Sequence, residues 1–143
     1  MEDHRVLLQR ALIRVNGKLG RAIKKQLERF NLSGAEYGII RNLEDSALTL
    51  SELSQRLLRV NSNTTAMIDA LERKGLVERI RDAEDRRVIR VKLTGSGLKL
   101  RNEVVPSHNH YVNSLLTPLN DTEIMNLLAL LEKLEAICDE ELS

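Results

Sequence analysis

Two short stretches of this chain alternate with period two, Glu78-Arg79-Ile80-Arg81 and Val88-Ile89-Arg90-Val91-Lys92-Leu93, while its other apolar residues recur at threes and fours. Alternation is the signature of a strand and the longer spacing that of a helix. The fold class expected is therefore mainly α with one small β-hairpin. In the second stretch Ile89, Val91 and Leu93 share one face, and Val88, Arg90 and Lys92 share the other. The connection Asp82-Ala83-Glu84-Asp85-Arg86-Arg87 is polar apart from one alanine and reads as an exposed hairpin tip.

Helices are expected on both sides of the hairpin. Over 5–30, Val6, Leu8, Leu12, Val15, Leu19, Ile23 and Leu27 form one long stripe. Ser33, with Glu36 three residues later, is a capping-box signal for a helix over 34–45. Thr49 or Ser51 caps a short helix over about 51–58 whose inner face carries Leu50, Leu53 and Leu57. A tight turn over Arg59, Val60 and Asn61 leads to a helix over 63–74, capped by Ser62 and stopped by Gly75. On that helix Thr64, Met67, Ile68 and Leu71 face inward, leaving Asn63, Thr65, Ala66, Asp69 and Arg73 outward. Helices over 96–116 and 122–142 follow. Pro106 should bend or restart the first of these, and Asp121 should cap the second.

The 143 residues suffice for one domain with a real core. No apolar run approaches the ~20 residues of a membrane span. The N-terminal MEDHRVLLQR lacks an apolar signal core, so a cytoplasmic protein is expected. Charge is uneven although the total is only +1. Residues 1–47 carry nine Lys/Arg against six Asp/Glu, 48–93 ten against seven, and 94–143 three against eight. A polyanion is therefore offered the middle of the chain. Phe30, Tyr37 and Tyr111 are too few to build a base-stacking platform for single strands.

Two short helices, a three-residue turn and a hairpin with a basic tip make a winged helix-turn-helix pattern. A helix fits the major groove of B-DNA when small polar side chains near its N-terminus let its backbone approach base edges. Ser62, Asn63, Thr65 and Ala66 supply that face, with Arg73 further along. A wing needs arginines that reach phosphates or a narrow minor groove. Arg79, Arg81, Arg86, Arg87 and Arg90 supply them.

Residues 49–97 resemble the MarR family of bacterial regulators. The resemblance is carried by Ile68-Asp69-Ala70-Leu71-Glu72-Arg73-Lys74-Gly75-Leu76-Val77, by Asp82-Ala83-Glu84-Asp85-Arg86-Arg87, and by Leu93-Thr94-Gly95-Ser96-Gly97. The plan of the whole chain is also similar, with helices before the lobe and two long ones after it. The resemblance implies one MarR-like domain over 1–143, with a DNA-binding lobe at 34–93 and dimerisation helices at 1–30 and 96–143. It implies a homodimer, in keeping with helical stripes too wide for one small lobe to cover. It further implies a repressor of transcription that binds double-stranded DNA at a pseudo-palindromic operator, with Arg87, oriented by Asp85, entering the minor groove. Many members carry Arg or Lys where this chain has Ala66, so Asn63 and Thr65 must carry more of the base reading. A small aromatic or phenolic effector is implied in a crevice whose candidate lining here is Arg14, Tyr37, Arg41, His108 and Tyr111.

Other features point to less. Cys138 is followed by Asp139-Glu140-Glu141, whose carboxylates disfavour a reactive thiolate, so it reads as a packing residue. His108 and His110 lie two apart, on different faces of a helix, and no metal or cofactor is expected from them. No nucleophile elbow, zinc-protease motif or phosphate-binding loop is present, so an enzyme is not expected. The alternative reading is a winged-helix module that binds another protein and not DNA.

Overall fold

A computed structural model describes residues 1–57 and 61–143, with positions 61 and 62 described by backbone alone. The order is α1 (His4–Glu28), α2 (Gly34–Asn42), β1 (Leu48–Thr49), α3 (Leu50–Leu57), α4 (Asn61–Arg73), β2 (Val77–Arg81), β3 (Ile89–Leu93), α5 (Gly95–Leu116) and α6 (Asp121–Leu142). The described residues divide into two units, Met1–His108 and Asn109–Ser143.

The expected hairpin pairs antiparallel in the register Val77 with Leu93 through Arg81 with Ile89. A third strand, unforeseen, joins it: Leu48 and Thr49 pair with Val91 and Arg90, giving the sheet order β1-β3-β2. Two residues are too few for any alternation to show, so β1 exists only through its tertiary partner. Thr49 also starts α3. Its Oγ1 accepts from the Glu52 N–H at 3.1 Å.

Other helix ends follow local chemistry. Ser33 and Glu36 form the expected capping box, at 3.1 and 2.9 Å. The helix behind it stops at Asn42, short of the expected 45. There the Asn42 side chain donates to the Gly38 carbonyl at 2.7 Å, a local bond that competes with helix continuation. The cap of α6 is Asn120 and not Asp121. Asn120 accepts from the Glu123 N–H at 2.8 Å, and Glu123 accepts in return from the Asn120 N–H at 3.0 Å. α5 runs through Pro106 without restarting. The proline removes one donor, but Asn102 and Pro106 are both exposed, so water can reach the carbonyl left over.

The core lies within the first unit. Leu27 of α1, Ile39 and Ile40 of α2, Leu53 of α3, Ile68 and Leu71 of α4, Val77 and Val91 of the strands and Val104 of α5 are all buried. Each such side chain contributes about 1.5–3 kcal/mol by leaving water. Thr94 joins sheet to helix. Its Oγ1 donates to the Gly75 carbonyl at 2.6 Å and accepts from the Gly97 N–H at 3.1 Å. Gly97 lies against the Leu76 carbonyl, where a Cβ would overlap that oxygen.

The long apolar stripes are covered only in part. At the N-terminal end of α1, Val6, Leu7, Leu8, Ile13, Val15 and Leu19 are exposed. In the second unit α6 has no buried residue, and Met125, Leu127, Leu128, Leu130 and Leu131 are exposed.

Candidate nucleic-acid interface

α4 divides into two faces as the sequence pattern requires. Thr64, Ile68 and Leu71 are buried and Met67 is half-buried, while Asn63, Thr65, Ala66 and Arg73 are exposed. Asp69 is half-buried at the edge. The helix begins at Asn61, so Ser62 lies in its first turn and not ahead of it. Its side chain falls outside the described residues, as do Arg59 and Val60 of the expected turn. Gly75 stops the helix with φ +74°, a backbone conformation that a Cβ disfavours. Beside Asn63 and Ala66 a cleft of about 410 Å³ opens toward Ser33, the cap of α2, and Glu36 within it. At its edge Lys74 donates to Glu36 at 2.9 Å and to the Asn31 carbonyl at 2.8 Å. Burial works against the Glu36 carboxylate, but the Ser33 N–H and Lys74 outweigh it and hold the group below its ordinary value.

The basic side chains of the wing fall into two groups. Arg79 and Arg90 are engaged internally. Arg79 donates to Asp69 at 2.6 Å and Glu72 at 2.8 Å, both on α4. Arg90 donates to Asp82 at 2.8 Å and to Glu52 of α3 at 3.4 Å. Asp82 also accepts from the Glu84 and Asp85 N–H groups at 3.2 and 3.0 Å, closing the tip into a turn. The Arg90 guanidinium, aided by those N–H groups, holds the Asp82 carboxyl below the usual carboxylate range.

The second group, Arg81, Arg86 and Arg87 of the wing, is exposed, as is Arg73 of α4. Arg81 is exposed and donates to the Arg86 carbonyl at 2.8 Å. Arg73 and Arg86 are exposed and make no ion pair with any described residue. Arg87 meets Asp85 through two N–H groups. Alternation in the sequence could not separate these groups, because it fixes a strand face and not the partner of a long side chain.

The effector candidates are only partly brought together. Tyr37 and His108 pack ring against ring with centroids 4.5 Å apart. His108 Nδ1 lies 3.2 Å from the Gln26 side-chain oxygen, and Gln26 Nε2 lies 3.4 Å from Ser107 Oγ. The Tyr37 hydroxyl is buried and has no hydrogen-bond partner among the described residues. Burial raises the Tyr37 pKa, offset in part by Arg41 and Arg101. Burial, with Arg41, lowers that of His108. Arg14 is exposed on α1 and sits twelve residues before Gln26, about 18 Å away along the helix axis. It does not join this cluster within one protomer. Tyr111 belongs to the second unit, where it is half-buried. Sequence reasoning missed Gln26 and Arg101. A polar residue beside Leu27 on an otherwise apolar stripe was the available signal for Gln26.

Among the described residues no group of three potential metal ligands occurs, and no helix is long and apolar enough to cross a membrane.

Comparison with known proteins agrees with this geometry. Residues 32–89 match the family model of the MarR family. The HTH-type transcriptional regulator PecS of Dickeya dadantii is 32% identical over 128 residues, covering 87% of this chain and 77% of that protein. AbsC, a MarR family transcriptional regulator from Streptomyces coelicolor, superposes with a TM-score of 0.88 at 25% identity, covering 98% and 97% of the two chains. A mutant MarR from E. coli, complexed with operator DNA, gives a TM-score of 0.81 at 26% identity, covering 92% and 95%. The winged lobe, its flanking helices and these relatives together establish that the chain belongs to the MarR family of transcriptional regulators.

Proposed function

We propose that the chain acts as a homodimer that binds double-stranded DNA in a sequence-specific way and represses transcription until an effector releases it. The observation that carries this reading is the pairing of two surfaces on one lobe. α4 presents the small residues Asn63, Thr65 and Ala66, and the adjacent wing presents Arg81, Arg86 and Arg87, all exposed. In this reading α4, including Ser62 in its first turn, enters the major groove. Asn63 reads adenine edges, Arg73 meets backbone phosphate, and Arg87, aimed by Asp85, enters the flanking minor groove.

The lobe at 34–93 carries recognition, and the helices at 1–30 and 96–143 carry dimerisation. The apolar residues left exposed on α1 and α6 support a second copy as their cover. Two-fold symmetry then requires half-sites about one helical turn apart, ~34–36 Å. Tyr37 and Arg41 of this lobe, with His108 of α5, are the residues offered to a small aromatic or phenolic effector. Arg14, about 18 Å from Gln26 along α1, takes part only if dimer assembly carries it there, and Tyr111 follows His108 by three residues on α5.

The test is selection of bound fragments from genomic DNA, followed by anisotropy on the enriched sequence between about 50 and 300 mM salt. An enriched palindrome bound far more tightly than scrambled DNA, with steep salt dependence, supports the reading. A folded dimer that enriches no sequence overturns it in favour of a protein-interaction module.

A further inference from the structure

We infer that Arg79 is a positioning residue: it sets how α4 meets DNA by locking that helix to the sheet, and does not touch DNA itself. The inference rests on the DNA-binding reading above.

The geometry separates Arg79 from the arginines of the wing tip. Its side chain is 25% exposed, against 91% for Arg87. Its two terminal nitrogens go to two different carboxylates, Nη2 to Asp69 at 2.6 Å and Nη1 to Glu72 at 2.8 Å. Asp69 and Glu72 are three apart on α4, so they lie one above the other along the helix. One guanidinium thus grips a full turn of the helix from the neighbouring strand.

A planar fork with two separated donors can do this. A lysine, with one point charge, holds one carboxylate well at a time. The inner contacts of α4, through Ile68 and Leu71, are apolar and non-directional. They set which face of the helix is buried, and the Arg79 pairs add directional contacts along its edge. The position of Asp69 makes this matter for recognition. It lies three and four residues beyond Ala66 and Thr65 and four before Arg73, so the grip is applied along the flank of the reading face.

Two carboxylates on a helix that faces phosphate otherwise make little sense. Unpaired, they repel the ligand. Paired with Arg79, they cost less repulsion and fix the helix. The two views predict opposite signs when the carboxylates are neutralised.

The experiment measures anisotropy of the enriched fragment and of scrambled DNA against salt, for the unaltered dimer and for Asp69→Asn with Glu72→Gln, Arg79→Ala and Arg79→Lys. The double neutral variant should bind the enriched fragment about tenfold more weakly, with scrambled DNA and the salt slope unchanged. Arg79→Ala should match it, and combining all three changes should add little, as expected for groups in one network. Arg79→Lys should recover only part of the loss. Glu72→Gln alone, at an exposed carboxylate, should lose about two- to threefold, and it keeps the test open where the double variant unfolds. Equal or tighter binding by the neutral variants overturns the inference. So does a salt slope that falls by about one in Arg79→Ala, the mark of a lost phosphate contact. If the unaltered protein enriches no sequence, the DNA-binding reading and this inference fail together. Failure of the inference alone is distinguished by intact specific binding.

Discussion

Arg87 is clasped by Asp85 yet almost wholly exposed. Nε donates to Oδ1 at 3.1 Å and Nη2 to Oδ2 at 3.3 Å, while 91% of the side chain stays open to solvent. The Arg87 N–H also bonds Asp85 Oδ1 at 3.1 Å, so side chain and backbone are fixed by the same carboxylate. These bonds hold the Asp85 carboxyl below its ordinary range. An exposed ion pair of this kind adds little stability, because solvent screens it. Its effect is orientation: the edge of the guanidinium that carries Nε and Nη2 is occupied by Asp85.

Arg87→Ala should therefore cost DNA affinity and not stability. The expected loss on the enriched fragment is tenfold or more, roughly 1–3 kcal/mol, with the salt slope reduced by about one. Asp85→Asn keeps the arginine but loosens its aim, so it should lose less affinity and leave the slope unchanged. Anisotropy titrations at several salt concentrations, beside thermal melts that stay level, check both expectations.

Much of the lobe was legible in the sequence because its signals are local. Ser33-x-x-Glu36 marks a helix start, Gly75 marks a stop, and the spacing of Thr64, Ile68 and Leu71 assigns a buried face. β1 was not legible, since its two residues become a strand only by pairing with Val91 and Arg90. The cap of α6 carries an equally local signal. Asn120 with Glu123 fits the same pattern as Ser33 with Glu36, but Asp121 stands next to it as a competing cap. At the interface, residue type placed the arginines on the wing, and only tertiary distances divided Arg79 and Arg90, turned inward, from Arg81, Arg86 and Arg87.

Gly97→Ala should destabilise the lobe without touching the reading face. The added Cβ would overlap the Leu76 carbonyl and crowd Leu93 Cδ2 at 3.2 Å. Backbone cannot move aside as a side chain can, and Leu76 itself is bonded to the Thr94 N–H at 3.1 Å. Overpacking of this kind costs about 1–3 kcal/mol. For a chain of this size the melting temperature should fall by roughly 3–10 °C. A melt by circular dichroism that does not move would show that the Gly75–Gly97 junction relaxes freely.

Stability should also depend on His108 over a defined pH range. Burial, together with Arg41, makes the folded lobe bind this proton less readily than the unfolded chain, whose histidine titrates near 6.5. Acidification from neutral pH therefore protonates the unfolded chain first, and stability falls as pH drops through that value. His108→Gln removes the titration while leaving an amide beside Gln26. Its melting temperature should fall less than that of the unaltered protein between about pH 7.5 and 5.5. Parallel curves for the two proteins would contradict the assignment.

The apolar face of α6 should be the part of the second unit that cannot tolerate charge. Leu127 and Leu131 are 46% and 40% exposed and lie four apart on one side of the helix. A contiguous apolar surface of this extent is characteristic of an interface. Leu127→Glu combined with Leu131→Glu places two carboxylates on that face. Each would have to be buried unpaired if a second copy still covered it. Sedimentation equilibrium should then show a monomer at concentrations where the unaltered protein is a dimer. Specific DNA binding should fall by far more than either half-site contact alone, since a monomer loses the second half-site and the effective concentration that linkage provides. The buried residues that hold α4 and the wing all lie within 1–108, so the lobe should keep its helical signal. A variant that remains a dimer would move the interface to the exposed residues of α1.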